Sequence, residues 1–131
     1  MTAENNPPCP IISNNADTDL VRQKQRTADI QRLNDNLRKT GRGGRVNFTE
    51  GILAQGPDFA LAVFTAVEAF SKFDCHNDPW GEHDCASLMV EDQKILWKID
   101  YYDKTQTFHS PDASNPKVTK RIMTVMLAEE Y

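Results

Sequence analysis

Residues 94–103, KILWKIDYYD, alternate between side chains that avoid water and side chains that seek it. Ile95, Trp97 and Ile99 fall on one side of an extended chain, and Lys94, Lys98 and Asp100 on the other. That is the period of a strand with one buried face. The preceding DCASLMVED places Leu88 and Val90 in the same way, and EDQK between the two runs reads as the turn of a hairpin. A two-stranded ribbon is barely stable alone, so its apolar face needs a cover. GPDFALAVFTAVEAFSKF supplies one. Pro57 stands at the first helical position, and Ala60, Val63, Phe64, Val67 and Phe70 form one stripe. Phe59, Leu61 and Phe73 widen the apolar surface, which makes this the central buried helix.

The remaining elements are read around that pair. From Asp17 to about Lys39 the chain predicts a helix, capped by Asp17 or Thr18, with Ile30, Leu33 and Leu37 on one face. Its first half is nearly all polar and is expected to project from the body. TGRGGR stops it. RVNFTEGILA alternates as a half-buried strand with a kink near Gly51. After the polar loop KTQTFHSPDASNP, Asn115 and Pro116 open a predicted final helix with Val118, Ile122, Val125 and Met126 as its stripe. The predicted order is α-β-α-β-β-α. The expected fold is α+β: a small, mostly antiparallel three-stranded sheet with helices packed on one face. Residues 1–16, rich in Asn and Pro, are expected to be disordered or loosely ordered, and 17–131 to form a single domain.

Composition adds limits. The first sixteen residues lack a cationic stretch followed by a long apolar one, so no secretory signal is expected. The longest nearly apolar run, FALAVFTAVEAF, is too short to cross a bilayer. Three cysteines (Cys9, Cys75, Cys85) are an odd number, which fits a reducing cytosol better than a disulfide framework. The expectation is a cytoplasmic protein with no membrane association. Charge is uneven: residues 20–46 carry eight basic and two acidic side chains, a net of +6, which leaves −10 for the rest of a chain whose total is −4. A solvated helix face accounts for that asymmetry. A nucleic-acid surface using Arg38, Lys39, Arg42 and Arg45 is the alternative, opposed by the acidic body.

The chemistry concentrates in FDCHNDPWGEHDCASL, residues 73–88. Cys75, His76, His83 and Cys85 are zinc-type donors, but adjacent Cys75 and His76 do not converge on one ion, and no CxxC or HxxxH pair anchors either half. No metal and no cofactor is therefore assigned. EHD sets an imidazole between two carboxylates, a pattern for acid–base work with His83, Asp84, Glu82 and Asp100. No serine or cysteine stands in a nucleophile's context. Asn77, Asp78, Pro79 and Gly81 are turn formers, with Trp80 expected to lid the core. The favoured reading is a polar turn forming an exposed contact surface.

LNDNLRKTGRGGRVNFTEGI, NDPWGEHD, WKIDYYD, SPD and VTKRIMTVMLAEEY, taken in order, resemble a small family of bacterial proteins catalogued as a domain of unknown function, with members on chromosomes and plasmids. The resemblance covers roughly residues 30–131. It brings a motif of Asn77, Asp78, Pro79, Gly81, Glu82, His83 and Asp84 beside Asp100, Tyr101, Tyr102 and Asp103, and no activity. In that family GEHD is commonly followed by an aromatic residue and glycine, where this chain has Cys85 and Ala86. The expected function is a small non-catalytic binding protein, an inhibitor or regulator acting on a protein partner. The family's setting suggests a mobile-element counter-defence factor of the anti-CRISPR or antirestriction type. Its contact residues would be Asp78, Trp80, Glu82, His83, Asp84, Asp100, Tyr102 and Asp103. The alternatives are a metal-dependent hydrolase or nuclease centred on His83 and Asp84, and nucleic-acid binding through the basic helix 20–46.

Overall fold

The computed structural model describes residues 18–131. The looseness expected of residues 1–16, and the cap expected at Asp17, concern residues outside those described. Three helices and four strands follow in the order α1 (Thr18–Thr40), β1 (Arg45–Phe48), α2 (Glu50–Leu53), α3 (Pro57–Ala69), β2 (Cys85–Val90), β3 (Gln93–Tyr102) and β4 (Lys120–Leu127), with a single 3-10 turn at Ala128–Glu130. The strands form one sheet in the spatial order β1-β4-β3-β2. β2–β3 and β3–β4 are antiparallel, and β1 runs parallel to β4.

The hairpin is as its alternation predicts. Glu91 and Asp92 both take positive φ, 48° and 66°, the backbone of a two-residue turn whose twist suits two strands in register. Ile95, Trp97, Ile99 and Tyr101 face the helices, along with Ala86 and Val90. α3 starts at Pro57, behind Gly56 at φ 99°, and buries Phe59, Val63 and Val67, spaced four apart. Leu61 points to solvent, contrary to its assignment to the apolar surface. Ile30 and Leu37 of α1 and Ile52 of α2 complete one core between the helices and one face of the sheet.

Two elements differ from expectation. The segment read as a strand through Gly51 is a strand only to Phe48; Glu50–Leu53 is a helical turn that buries Ile52. The Glu130 carboxylate holds it there, accepting from Thr49 Oγ1 at 2.6 Å, the Gly51 amide at 3.1 Å and the Leu127 amide at 2.8 Å. A Cβ at Gly51 would meet that carboxylate at 2.6 Å, so a larger residue there would have to displace the Glu130 side chain from these bonds.

The larger correction is the predicted final helix, which is the strand β4. The sheet therefore has four strands, not three, and the order is α-β-α-α-β-β-β. Asn115 caps no helix. Its side chain accepts from the Lys117 amide at 3.0 Å, and Val118 closes a turn onto its carbonyl, with Pro116 inside that turn. β4 then lies between β1 and β3 and is buried on both sides: Met123 and Val125 toward the helices, Ile122 and Met126 on the opposite face. A strand buried on both faces loses its period of two, and its apolar residues can mimic a helical stripe.

α1 does not simply project. Its C-terminal half is docked, and the first half is tied at Arg26, whose Nε lies 3.3 Å from the Asp112 carboxylate. Gly41, at φ 75°, ends the helix by donating its amide to the Leu37 carbonyl at 2.8 Å.

Candidate functional site

The loop from α3 to β2 is built in two steps. In the first, Asp74 Oδ1 accepts from the amides of His76 and Asn77 at 2.8 and 3.0 Å, and Asn77 Oδ1 accepts from the Asp74 amide at 2.9 Å. These amides hold the Asp74 carboxyl below its ordinary range. In the second, Asp78 turns inward. Its carboxylate accepts the His83 amide at 3.1 Å, with the chain reversed through Gly81 at φ 70° and His83 at φ 56°.

α1 grips the segment 81–83 with one polar face. Gln31 donates to the Gly81 carbonyl at 2.9 Å and Asn34 to the Glu82 carbonyl at 3.0 Å. The His83 Nδ1–H donates to Asp35 Oδ1 at 2.8 Å. The imidazole lies flat on the Phe73 ring, centroids 3.8 Å apart, and its Nε2 faces Asp78 Oδ2 at 3.6 Å. Asp35 also accepts from Arg38 Nη2 at 2.9 Å. The buried Arg38 Nη1 donates to the carbonyls of Val67, Glu68 and Phe70 at 3.1, 3.1 and 2.9 Å, so it caps the end of α3. Gln31, Asn34, Asp35 and Arg38 follow the i, i+3, i+4, i+7 pattern of one helix face.

A second chain of bonds runs beneath. Arg121 donates from Nη2 to the Ala113 carbonyl and from Nε to Asn34 Oδ1 at 2.8 Å. Asn34 Nδ2 donates to the Tyr101 hydroxyl at 2.7 Å, which donates in turn to Glu82 Oε1 at 2.8 Å. The Arg121 guanidinium lies 5.1 Å from the Tyr101 ring centroid. Burial is the main cause that pushes the Tyr101 hydroxyl far above its ordinary pKa, and burial lowers that of Arg121.

The residues singled out in the sequence are thus only partly brought together. His83, Glu82 and Asp78 are tied inward to α1 and β3, and Asp78 is buried. Trp80 does the opposite of lidding the core: it is 77% exposed. Asp84 lies opposite Ile99, whose amide donates to its carbonyl at 2.7 Å. Asp100 belongs to the other face of the sheet, paired with Lys98 Nζ at 2.6 Å. Asp103 closes its own loop through Thr105 and Thr107. His83, Asp84, Glu82 and Asp100 therefore do not share one cavity, and both ring nitrogens of His83 face carboxylates. Arg38 is turned into the core and presents nothing to nucleic acid, whereas Lys39, Arg42 and Arg45 are exposed. Among the described residues no three His, Cys, Asp or Glu side chains are placed to hold a metal ion. No helix of the described residues is long and apolar enough to cross a membrane.

What the sequence reading missed is the other half of the network, Gln31, Asn34, Asp35, Arg38 and Arg121. One signal was present: Asn34 interrupts the stripe Ile30–Leu37, and a polar residue on a core face calls for a buried partner.

Asp84 yields a test of this geometry. Burial, first, and the neighbouring Glu82, Asp78 and Asp100 carboxylates raise its pKa above the ordinary value. A carboxyl raised in the folded state binds its proton more readily there than in the unfolded chain. Stability therefore falls as pH rises from about 3.9, the unfolded value, through the raised one. Asp84→Asn is expected to raise the melting temperature at pH 7 and to lose that advantage below about pH 4. A variant less stable than wild type at pH 7 would mean that the carboxylate has a favourable partner.

No curated protein and no solved structure matches the chain. A family model described as "Protein of unknown function (DUF3768)" matches residues 48–130, from the last residue of β1 through the 3-10 turn, which takes in GEHD, the hairpin and β4 but not the gripping face of α1. The match spans well over half of the sequence, and the chain belongs to the DUF3768 family.

Proposed function

We propose that the protein is a small non-catalytic binding protein, acting on a protein partner as an inhibitor or regulator. The observation that carries this reading is the division of labour in residues 78–84. The acid–base residues are spent on holding the loop, Asp78 to its own backbone, Glu82 to β3 and His83 to α1, while the one large apolar side chain of residues 78–84, Trp80, is held out in water. Open depressions flank it, lined by Leu20, Gln23 and Thr27 of α1 and by Pro79. A tryptophan held out on a braced loop is the kind of anchor that dominates protein interfaces. Bracing it in advance removes ordering cost from association. Such a role also suits a counter-defence factor, a reading that rests on the family's setting. Of the contact residues expected from the sequence, Trp80 is the anchor, and Asp78, Glu82 and His83 position it.

The test is capture of a partner from the native host by the wild-type protein and by Trp80→Ala. The variant is expected to fold normally and to lose at least tenfold in affinity, about 1.4 kcal/mol or more. Undiminished capture would remove Trp80 from the interface. Metal-dependent cleavage of nucleotides or nucleic acid that His83→Ala abolishes would replace this reading with the hydrolase.

A further inference from the structure

At the other end of α1 from Trp80, the fold gathers cations that lie far apart in sequence. An open cleft of about 420 Å³ is lined by Gly43 and Gly44 of the turn after α1, by Lys104 and Pro116 from the β3–β4 loop, and by Lys120, the first residue of β4. Arg42 and Arg45 flank the two glycines, and Lys117 adjoins Pro116. Arg42, Arg45, Lys104 and Lys117 are exposed and Lys120 is half-buried.

Three features make this more than a scatter of surface lysines. None of Arg42, Arg45, Lys104, Lys117 and Lys120 forms an ion pair with another described residue, whereas Arg26, Arg32, Arg38, His83 and Lys98 each do. No carboxylate lines the cleft, and the nearest in sequence, Asp103, is turned onto Thr105 and Thr107. The chain as a whole is acidic, so five unpaired cations at one site run against its overall charge. Unpaired cations held around a concave surface focus a positive field. The low rim at Gly43–Gly44 gives an anion access to main chain that side chains would otherwise screen.

We propose that this cleft binds phosphate, with Lys104 and Lys120 as the direct contacts and Arg42, Arg45 and Lys117 as a surrounding field. The source is either a single phosphate group or the backbone of a nucleic-acid strand, and the chemistry of the site is the same for both. This goes beyond the protein-binding reading and does not depend on Trp80.

The experiment titrates the full-length protein with inorganic phosphate, with a twelve-nucleotide oligothymidylate and with a polyglutamate peptide, following the amide resonances of Gly43 and Gly44. Shifts with phosphate alone assign a single-phosphate site. Shifts with the oligonucleotide, with affinity falling as salt rises, assign a strand. In either case, Lys104→Gln combined with Lys120→Gln is expected to weaken binding about tenfold; for the strand it should also lower the slope of log affinity against log salt by about 1.4, two contacts at roughly 0.7 each. Arg42→Gln with Arg45→Gln, which leaves the cleft lining intact, is a second variant expected to weaken binding less. Equal affinity for polyglutamate, no shift with any probe, or binding unchanged in the lysine double variant would each overturn the proposal.

Discussion

Replacing Arg38 with alanine is expected to cost about 3–5 kcal/mol of folding stability, measured by chemical denaturation. The side chain is 1% exposed and joins three parts of the molecule. It closes three carbonyls at the end of α3, shares Asp35 with His83, and lies 5.3 and 5.4 Å from the centroids of Phe73 and Trp97. Alanine would strand those carbonyls beside the core and leave Asp35 with one partner, and each buried polar group left unsatisfied costs about 1–3 kcal/mol. Arg38→Lys keeps the charge but not the fork that reaches Asp35 and the helix end together, so it is expected to recover only part of the loss. A midpoint within experimental error of wild type would mean that α1 is not docked through this residue.

Trp97→Ala is expected to cost about 3–5 kcal/mol. Trp97 is fully buried at the centre of β3 and meets Phe70 and Phe73 edge-on, both at 6.1 Å between centroids. Its indole N–H has no hydrogen-bond partner among the described residues. The contribution is then one of volume and contact, and Trp97→Phe is expected to lose much less than Trp97→Ala. If phenylalanine were as damaging as alanine, the N–H would have to be bonded in solution.

Legibility in the sequence followed the locality of the forces. The hairpin was readable because one face of Ile95–Ile99 is wet and the other dry, and α3 because Pro57 and a four-residue apolar spacing mark it. β4 was not, because it lies inside the sheet between β1 and β3 and its side chains are buried on both faces, which erases the alternation. The turn at Asn77–Gly81 was legible from residue types, since its bonds close within five residues. The destination of His83 was not: Asp35 lies 48 positions away, and only the packing of α1 against the sheet decides which carboxylate the imidazole meets.

The place of β4 has a consequence for the order in which the molecule is made. It follows the other three strands of the sheet in sequence and is second in space, with β1 on one side and β3 on the other. A nascent chain that has reached Tyr102 holds α1, α3 and the hairpin, but β1 has no neighbour to pair with and the core lacks Met123 and Val125. The hairpin can form at once. The sheet must wait for residues 120–127, and joining β1 to β4 then closes a loop of more than seventy residues. The sheet of this domain is therefore closed by β4, so a ribosome that stalls before Lys120 leaves a hairpin and helices with an unfilled centre, the kind of exposed intermediate that chaperones hold.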